Sequence, residues 1–396
     1  MKRQLLISIL LITGFSGRVF SQDSLITRMA KENLTTFEKS GQTFNGLGWN
    51  KLIAEIRKSD FVLVGEDHFT VEIPLFISAV SRNVTFDNFF AEIDPYSAAI
   101  IESKINNLSG SDLDAYLADL SGTFSFYSLQ PEFDMTRQLV KSKTRIKGAD
   151  QILLVADRLI CSELKKKTKN KSAKKIYEVI ENRSKEHFEQ FLKDPSKPFY
   201  LLTTDFENNL ESLSRLNLSR EEDEQIEALR LSAQINKEQN HLLRIQLMKS
   251  LLMKDYVQWA DKKNLFKFGS NHLSKGESFL QIYDIGNLVS NLADSEYKQS
   301  LHIMMVGRSG MQASPFQGFP PQKVDENSNS RKALKPLFNA VEGQQWHYID
   351  MLPLRKALES GKFVTGDVKL ARIIKGYDVV VVIPTVTAAP FIKAAL

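Results

Sequence analysis

The chain of 396 residues has a single cysteine, Cys161, and only six histidines. One thiol cannot build a disulfide framework, nor a zinc site made of several thiolates. Any metal would therefore rest on His, Asp or Glu. A phosphate-binding Walker loop and a dinucleotide fingerprint are both missing from the sequence. Gly-x-Ser-x-Gly is missing too, and Gly307-Arg308-Ser309-Gly310 lacks the spacing of a nucleophile elbow. Past the N-terminus no stretch is apolar enough to span a bilayer. Cys161 precedes a lysine-rich helical pattern with no partner His in view, and reads as structural. What remains, 42% hydrophobic and 25% charged, is the composition of a globular protein.

The net charge of +5 needs a correction. Lys2 and Arg3 precede an apolar run from Leu5 to Phe15, and Val19 and Ser21 suit the small-residue positions before a cleavage site. Residues 1–21 read as a secretory signal peptide, cut before Gln22, so the protein is expected to be exported to a periplasm or the medium. The leader carries Lys2, Arg3 and Arg18 and no acid, which leaves a mature chain near +2. A nearly neutral chain gives no reason to expect nucleic acid as a partner. The lysine runs at 165–167 and 174–175 lie beside Glu163, Glu178 and Glu181 and read as a solvated helix face.

Short apolar runs alternate with helical spacing. Strands are expected at Phe61–Val64, Phe89–Ile93, Thr144–Lys147, Leu265–Phe268, Leu301–Val306, Trp346–Ile349 and Asp378–Ile383. Helices are expected near Ile26–Glu38, Leu52–Arg57 and Pro74–Val80. The pattern predicts an α/β fold with a mainly parallel central sheet flanked by helices. Residues 153–263 are charge-rich and helical in spacing, and 210–259 hold no Gly or Pro. We read residues 22–396 as one α/β domain with a helical insertion at about 153–263. Residues 307–331, Gly- and Pro-containing to 321 and polar at 327–331, read as one long loop that would cover a site.

Three polar clusters fall at strand ends: Gly65-Glu66-Asp67-His68, then Glu92 and Asp94, then Gly269-Ser270-Asn271-His272. Ligands of open parallel sheets bind beyond the carboxyl ends of the strands. Parallel strands would thus bring His68, Glu92 and His272 to one crevice, although the two histidines are about two hundred residues apart. Glu66 and Asp67 also have a plain reading as helix caps. Glu92 ends an apolar run, where an unpaired carboxylate is costly. His187, His241, His302 and His347 read as core or surface residues. Two imidazoles and a carboxylate allow two machines. One is a divalent metal held by His68, His272 and Glu92 that acidifies water; the other is a metal-free general base. Asn271, Lys267 or Arg308 would stabilise an oxyanion.

At these residues the sequence resembles the superfamily of erythromycin esterases, ChaN-like haem-binding lipoproteins and TraB/Tiki proteins. Phe61-Val-Leu-Val-Gly-Glu-Asp-His68 with Glu72-Ile-Pro-Leu-Phe76 is similar to its opening motif, one residue shorter than the usual esterase form. Phe90-Ala-Glu-Ile-Asp94 resembles the second-strand acidic motif, and Gly148-Ala-Asp150 the esterases' Gly-x-Asp step. Arg244 and Met248 resemble the helix that precedes the second histidine motif, and the paired Gly-x-x-His turns are the TraB/Tiki spacing. The esterase branch implies that His68 activates water, with Glu92 and His272 completing the site; Glu66 is expected among the catalytic residues, and Arg244 and Asp150 among those that bind the substrate or oxyanion. The Tiki-like branch implies metal ligation by the two histidines, with Glu92 assisting. The ChaN-like branch implies a haem or iron site, with a homodimer as the expected assembly. The leading expectation is an exported hydrolase acting on an ester, lactone or peptide-like bond of a small molecule or peptide. Its alternatives are haem or metal binding without turnover, and a partner-binding protein on an inherited fold.

Overall fold

The computed structural model describes residues 23–392; the leader read over 1–21 and its cleavage point lie outside them. The protein is mixed α/β, and the strands of its core are mostly parallel. The chain forms two compact units. One takes the described residues up to Val84 together with Phe268–Gln312 and Gln322–Ala388. The other takes Thr85–Lys267, Ala313–Pro321 and the described residues from Ala389 on.

In the first unit, β3 (Phe61–Glu66) pairs in parallel with β7 (Ser300–Gln312), with Phe61 opposite Ser300 and Glu66 opposite Met305. β7 also pairs in parallel with β10 (Val379–Val386), which pairs antiparallel with β9 (Trp346–Asp350). Every residue of β3 is buried, which is why its sequence is a continuous apolar run rather than an alternating one. Two expectations change here. The helix expected to Glu38 ends at residue 32, and β1 (Leu34–Ser40) follows, paired with β9 and with β2 (Thr43–Asn45). The Thr35-Thr36-Phe37 run suits a pleated surface, and tertiary pairing outweighs the helical spacing. The expected loop after Gly307 is instead partly a hairpin: β7 runs on to Gln312 and pairs with β8 (Gln322–Asp325).

In the second unit, β4 (Asn88–Ala91) pairs in parallel with β5 (Arg145–Gly148) and with β6 (Asn264–Gly269), whose last two residues pass into the first unit. Between β5 and β6 the chain is helical. Helix Arg220–Glu238 starts with a capping box in which Ser219 and Glu222 satisfy each other's backbone groups. It buries Ile226, Leu229 and Ala233, a spacing of three and four that makes one apolar stripe. That stripe shares a core with Tyr177 and Ile180 of helix Lys171–Lys193 and with Phe206 and Leu210 of helix Thr204–Ser214. None of the described helices is long and apolar enough to cross a membrane.

Candidate active site

In the first unit β3 delivers Gly65 and Glu66 to its carboxyl end. A side chain at Gly65 would stand 3.0 Å from the Cα of Ser270 and 3.1 Å from the Tyr377 hydroxyl, a tight fit that glycine relieves. The two Gly-x-x-His turns therefore touch backbone to backbone. Beyond β3, the Nδ1 of His68 lies 2.9 Å from Oε1 of Glu66; the imidazole is 25% exposed and the carboxylate only 2%. Phe69 follows with φ +69°, a conformation unfavourable for a bulky residue. It is held by its flank: Thr70 bridges Ala388, the Val71 N–H donates to Thr387 O, and the Thr387 N–H donates to Glu72. Asp67 accepts from Arg331 at 2.6 Å, and Arg331 also donates to the Gly307 carbonyl at 2.6 Å.

The second turn is a short 3-10 segment, Ser270–His272. The Nδ1 of His272 lies 2.8 Å from Oδ2 of Asp284, and both side chains are buried. The other oxygen of Asp284 accepts the Ile285 N–H at the start of helix Ile285–Ser295, which fixes the carboxylate. The Tyr377 hydroxyl donates to the Ser270 carbonyl and pins the turn. Each imidazole thus meets a carboxylate at Nδ1. A carboxylate at that position favours the tautomer with the ring proton on Nδ1.

The second unit carries a different cluster. Arg244 donates to Oε1 of Glu92 at 2.9 Å, and through Nε to Asp150 at 2.9 Å, with a further bond to Asp150 from the same guanidinium. Burial opposes the charge on Arg244, but Asp150 and then Glu92 outweigh it and raise its pKa above the ordinary value. The chain folds this way because Gly148 has no side chain, and one there would collide with the Asp94 carbonyl. Asp94 caps helix Pro95–Asn107 through the Tyr96 and Ser97 N–H groups. Complete burial, with the charge of Asp150 adding to it, pushes Asp94 up to about 6 against the hydrogen bonds it accepts. Glu92, Asp94, Asp150 and Arg244 line a cavity of about 200 Å³.

Solved structures provide the comparison. A histidine-to-asparagine mutant of the erythromycin esterase EreC, in its open conformation, matches at 16% identity over 91% of this chain and 99% of its own, with a TM-score of 0.57. A succinoglycan biosynthesis protein matches at 13% over 94% and 99%, with a TM-score of 0.54. A Bacillus cereus protein matches at 15% over 93% and 99%, with a TM-score of 0.51. The chain has the erythromycin esterase fold. At these identities the likeness is one of fold alone. No family model matches the chain, and no curated protein matches it in sequence.

On this esterase-type fold the remaining sequence candidates take the following places. Lys267 is sealed in an ion pair with Glu132 at 2.8 Å, their side chains 4% and 2% exposed. Arg308 pairs with Glu326 at 2.6 Å. Asn271 lines a cavity beside the second turn. Among the described residues no group of three or more His, Cys, Asp or Glu is placed to hold a metal ion. His302 is wholly buried, which lowers it to about 4, and its Nδ1 lies 2.7 Å from the Leu273 carbonyl. Cys161 is also wholly buried, and burial raises its thiol pKa well above the usual value. Sequence reasoning missed Asp284 and Glu132. Asp284 sits directly before a helix that begins with an apolar residue, which is a capping signal. Nothing in the sequence near Glu132 points to Lys267.

Proposed function

We propose that the protein is an exported hydrolase in which water is the nucleophile. The observation that carries this reading is the contact between two turns that each present a histidine paired with a carboxylate. In the proposal, Nε2 of His68 takes a proton from water while the water oxygen adds to the carbonyl carbon. Glu66 stabilises the imidazolium that forms. His272, protonated and backed by Asp284, donates to the developing oxyanion. His68 then returns its proton to the leaving oxygen as the C–O bond breaks. An ester or lactone bond suits this sequence, because an alkoxide leaves far more readily than an amide anion. Glu92 is assigned no step and belongs to the polar cluster of the second unit. The leader read over residues 1–21 supports export.

The test is hydrolysis of p-nitrophenyl esters by the purified protein. His68→Asn and His272→Asn are each expected to lower kcat by about 10²–10⁴, with far-UV circular dichroism unchanged. Undiminished turnover in both variants would overturn the reading.

A further inference from the structure

The first unit holds a cavity of about 330 Å³. Asp67, Ser270 and Asn271, from the two histidine turns, contribute to its wall. Much of its lining is apolar: Met304 of β7, Leu334, Phe279, Leu280 and Ile373. Met304, Leu334 and Ile373 are themselves buried, so this is the edge of the core and not a scatter of surface groups. Two cations also line it. Arg331 is spent on Asp67 and the Gly307 carbonyl. Lys369 is exposed and has no carboxylate partner among the described residues. It stands in the first turn of helix Val368–Gly376, where the helix dipole disfavours a positive charge. The Asp367 carboxylate caps the start of this helix and offsets its dipole, so the lining is an apolar body with one exposed positive charge that forms no ion pair among the described residues.

We propose that this cavity binds a medium-chain carboxylate, with the hydrocarbon on Met304, Leu334 and Ile373 and the carboxylate on Lys369. At about 30 Å³ per heavy atom, taken from liquid water, the volume suits roughly ten heavy atoms, the size of octanoate. Because Asn271 and Asp67 lie on the turns read as catalytic, the substrate class that follows, an ester or lactone of such an acid, rests on the hydrolase reading. The binding itself does not.

Isothermal titration of the full chain with sodium octanoate, and with 1-octanol as the uncharged control, separates the two. Saturable octanoate binding is expected. Lys369→Ala should weaken octanoate about fivefold, the loss of one partly solvated charge-assisted contact, while 1-octanol changes less than about twofold on the same grounds. Leu280→Trp, at an exposed rim position, should weaken both ligands. No saturable binding of octanoate, an unchanged octanoate affinity in Lys369→Ala, or indifference of both ligands to Leu280→Trp would each overturn the proposal. Octanoate binding without ester hydrolysis counts against the hydrolase alone, and hydrolysis without octanoate binding counts against the cavity alone.

Discussion

In the first unit the imidazoles of His68 and His272 meet carboxylates at Nδ1, whereas in the second unit a guanidinium spans Glu92 and Asp150 and Lys267 is sealed against Glu132. Both arrangements put charge at strand ends, yet they differ in what the charge is left to do. An imidazole backed by a carboxylate is a group of the kind that passes protons. Arg244, between two carboxylates, is held in its charged form, and Lys267 is held against Glu132. In the proposed reading the first unit transfers protons and the second holds shape. A residue type at a strand end therefore does not declare its use; the partner it meets does.

The hardest break of this comparison is Lys267→Ala. It strands Glu132 in the interior and should cost about 3–5 kcal/mol, read as the shift in a urea midpoint. The double variant Lys267→Met with Glu132→Leu should recover most of that loss, since an apolar pair of similar volume replaces the buried charges. Equal losses in the two would mean that Lys267 does more than balance Glu132.

Glu66→Gln is the corresponding break in the first unit. The amide is nearly the same size but no longer favours a proton on Nδ1 of His68 or stabilises an imidazolium. A fall in kcat of about 10²–10⁴ is expected, with a much smaller change in thermal midpoint. A stability loss with unaltered kcat would move Glu66 to the structural side of the comparison.

A smaller effect tests the second unit through pH. Burial pushes Asp157 up to about 7, although Ser184 donates to it and Arg158 lies near. A carboxyl group with a raised pKa binds its proton more tightly in the folded state than in the unfolded one. Its contribution is fully present below the ordinary carboxylate pKa and is lost as pH rises to about 7. Asp157→Asn should therefore gain stability over the parent protein as pH climbs through this window, reaching roughly 2–4 kcal/mol above it. Measuring the difference cancels the opposing contribution of buried His302, which favours the folded state at higher pH. A difference that stays constant from pH 4 to pH 8 would contradict the assignment.

The gentlest probe is Tyr377→Phe. It removes the hydroxyl that holds the Ser270 carbonyl and should cost about 1 kcal/mol. Because the same ring packs against Gly65, a several-fold loss of ester hydrolysis with KM little changed would show that the bond positions the second turn for the chemistry.

Much of this was legible in the residues. The runs Phe61–Val64, Phe89–Phe90 and Leu265–Phe268 announce buried strands because both faces of such a strand are covered, leaving no polar alternation. The glycines and acids that follow them mark the strand ends. Less legible were β1, β2 and β8, short or mixed in composition, whose pairing comes from a partner far along the chain. Asp284 gave only a capping signal, and Glu132 none.

What the sequence determined by itself is the alternation of apolar strands with amphipathic helices and the identity of the polar residues at the strand ends. Both follow from periodicity and local turn chemistry, which depend on neighbours a few residues away. What only the tertiary structure decided is the pairing: Gly65 against Ser270, His272 with Asp284, Arg244 with Glu92 and Asp150, Lys267 with Glu132. Side-chain packing and burial fix those partners, and no local rule specifies which buried charge will meet which.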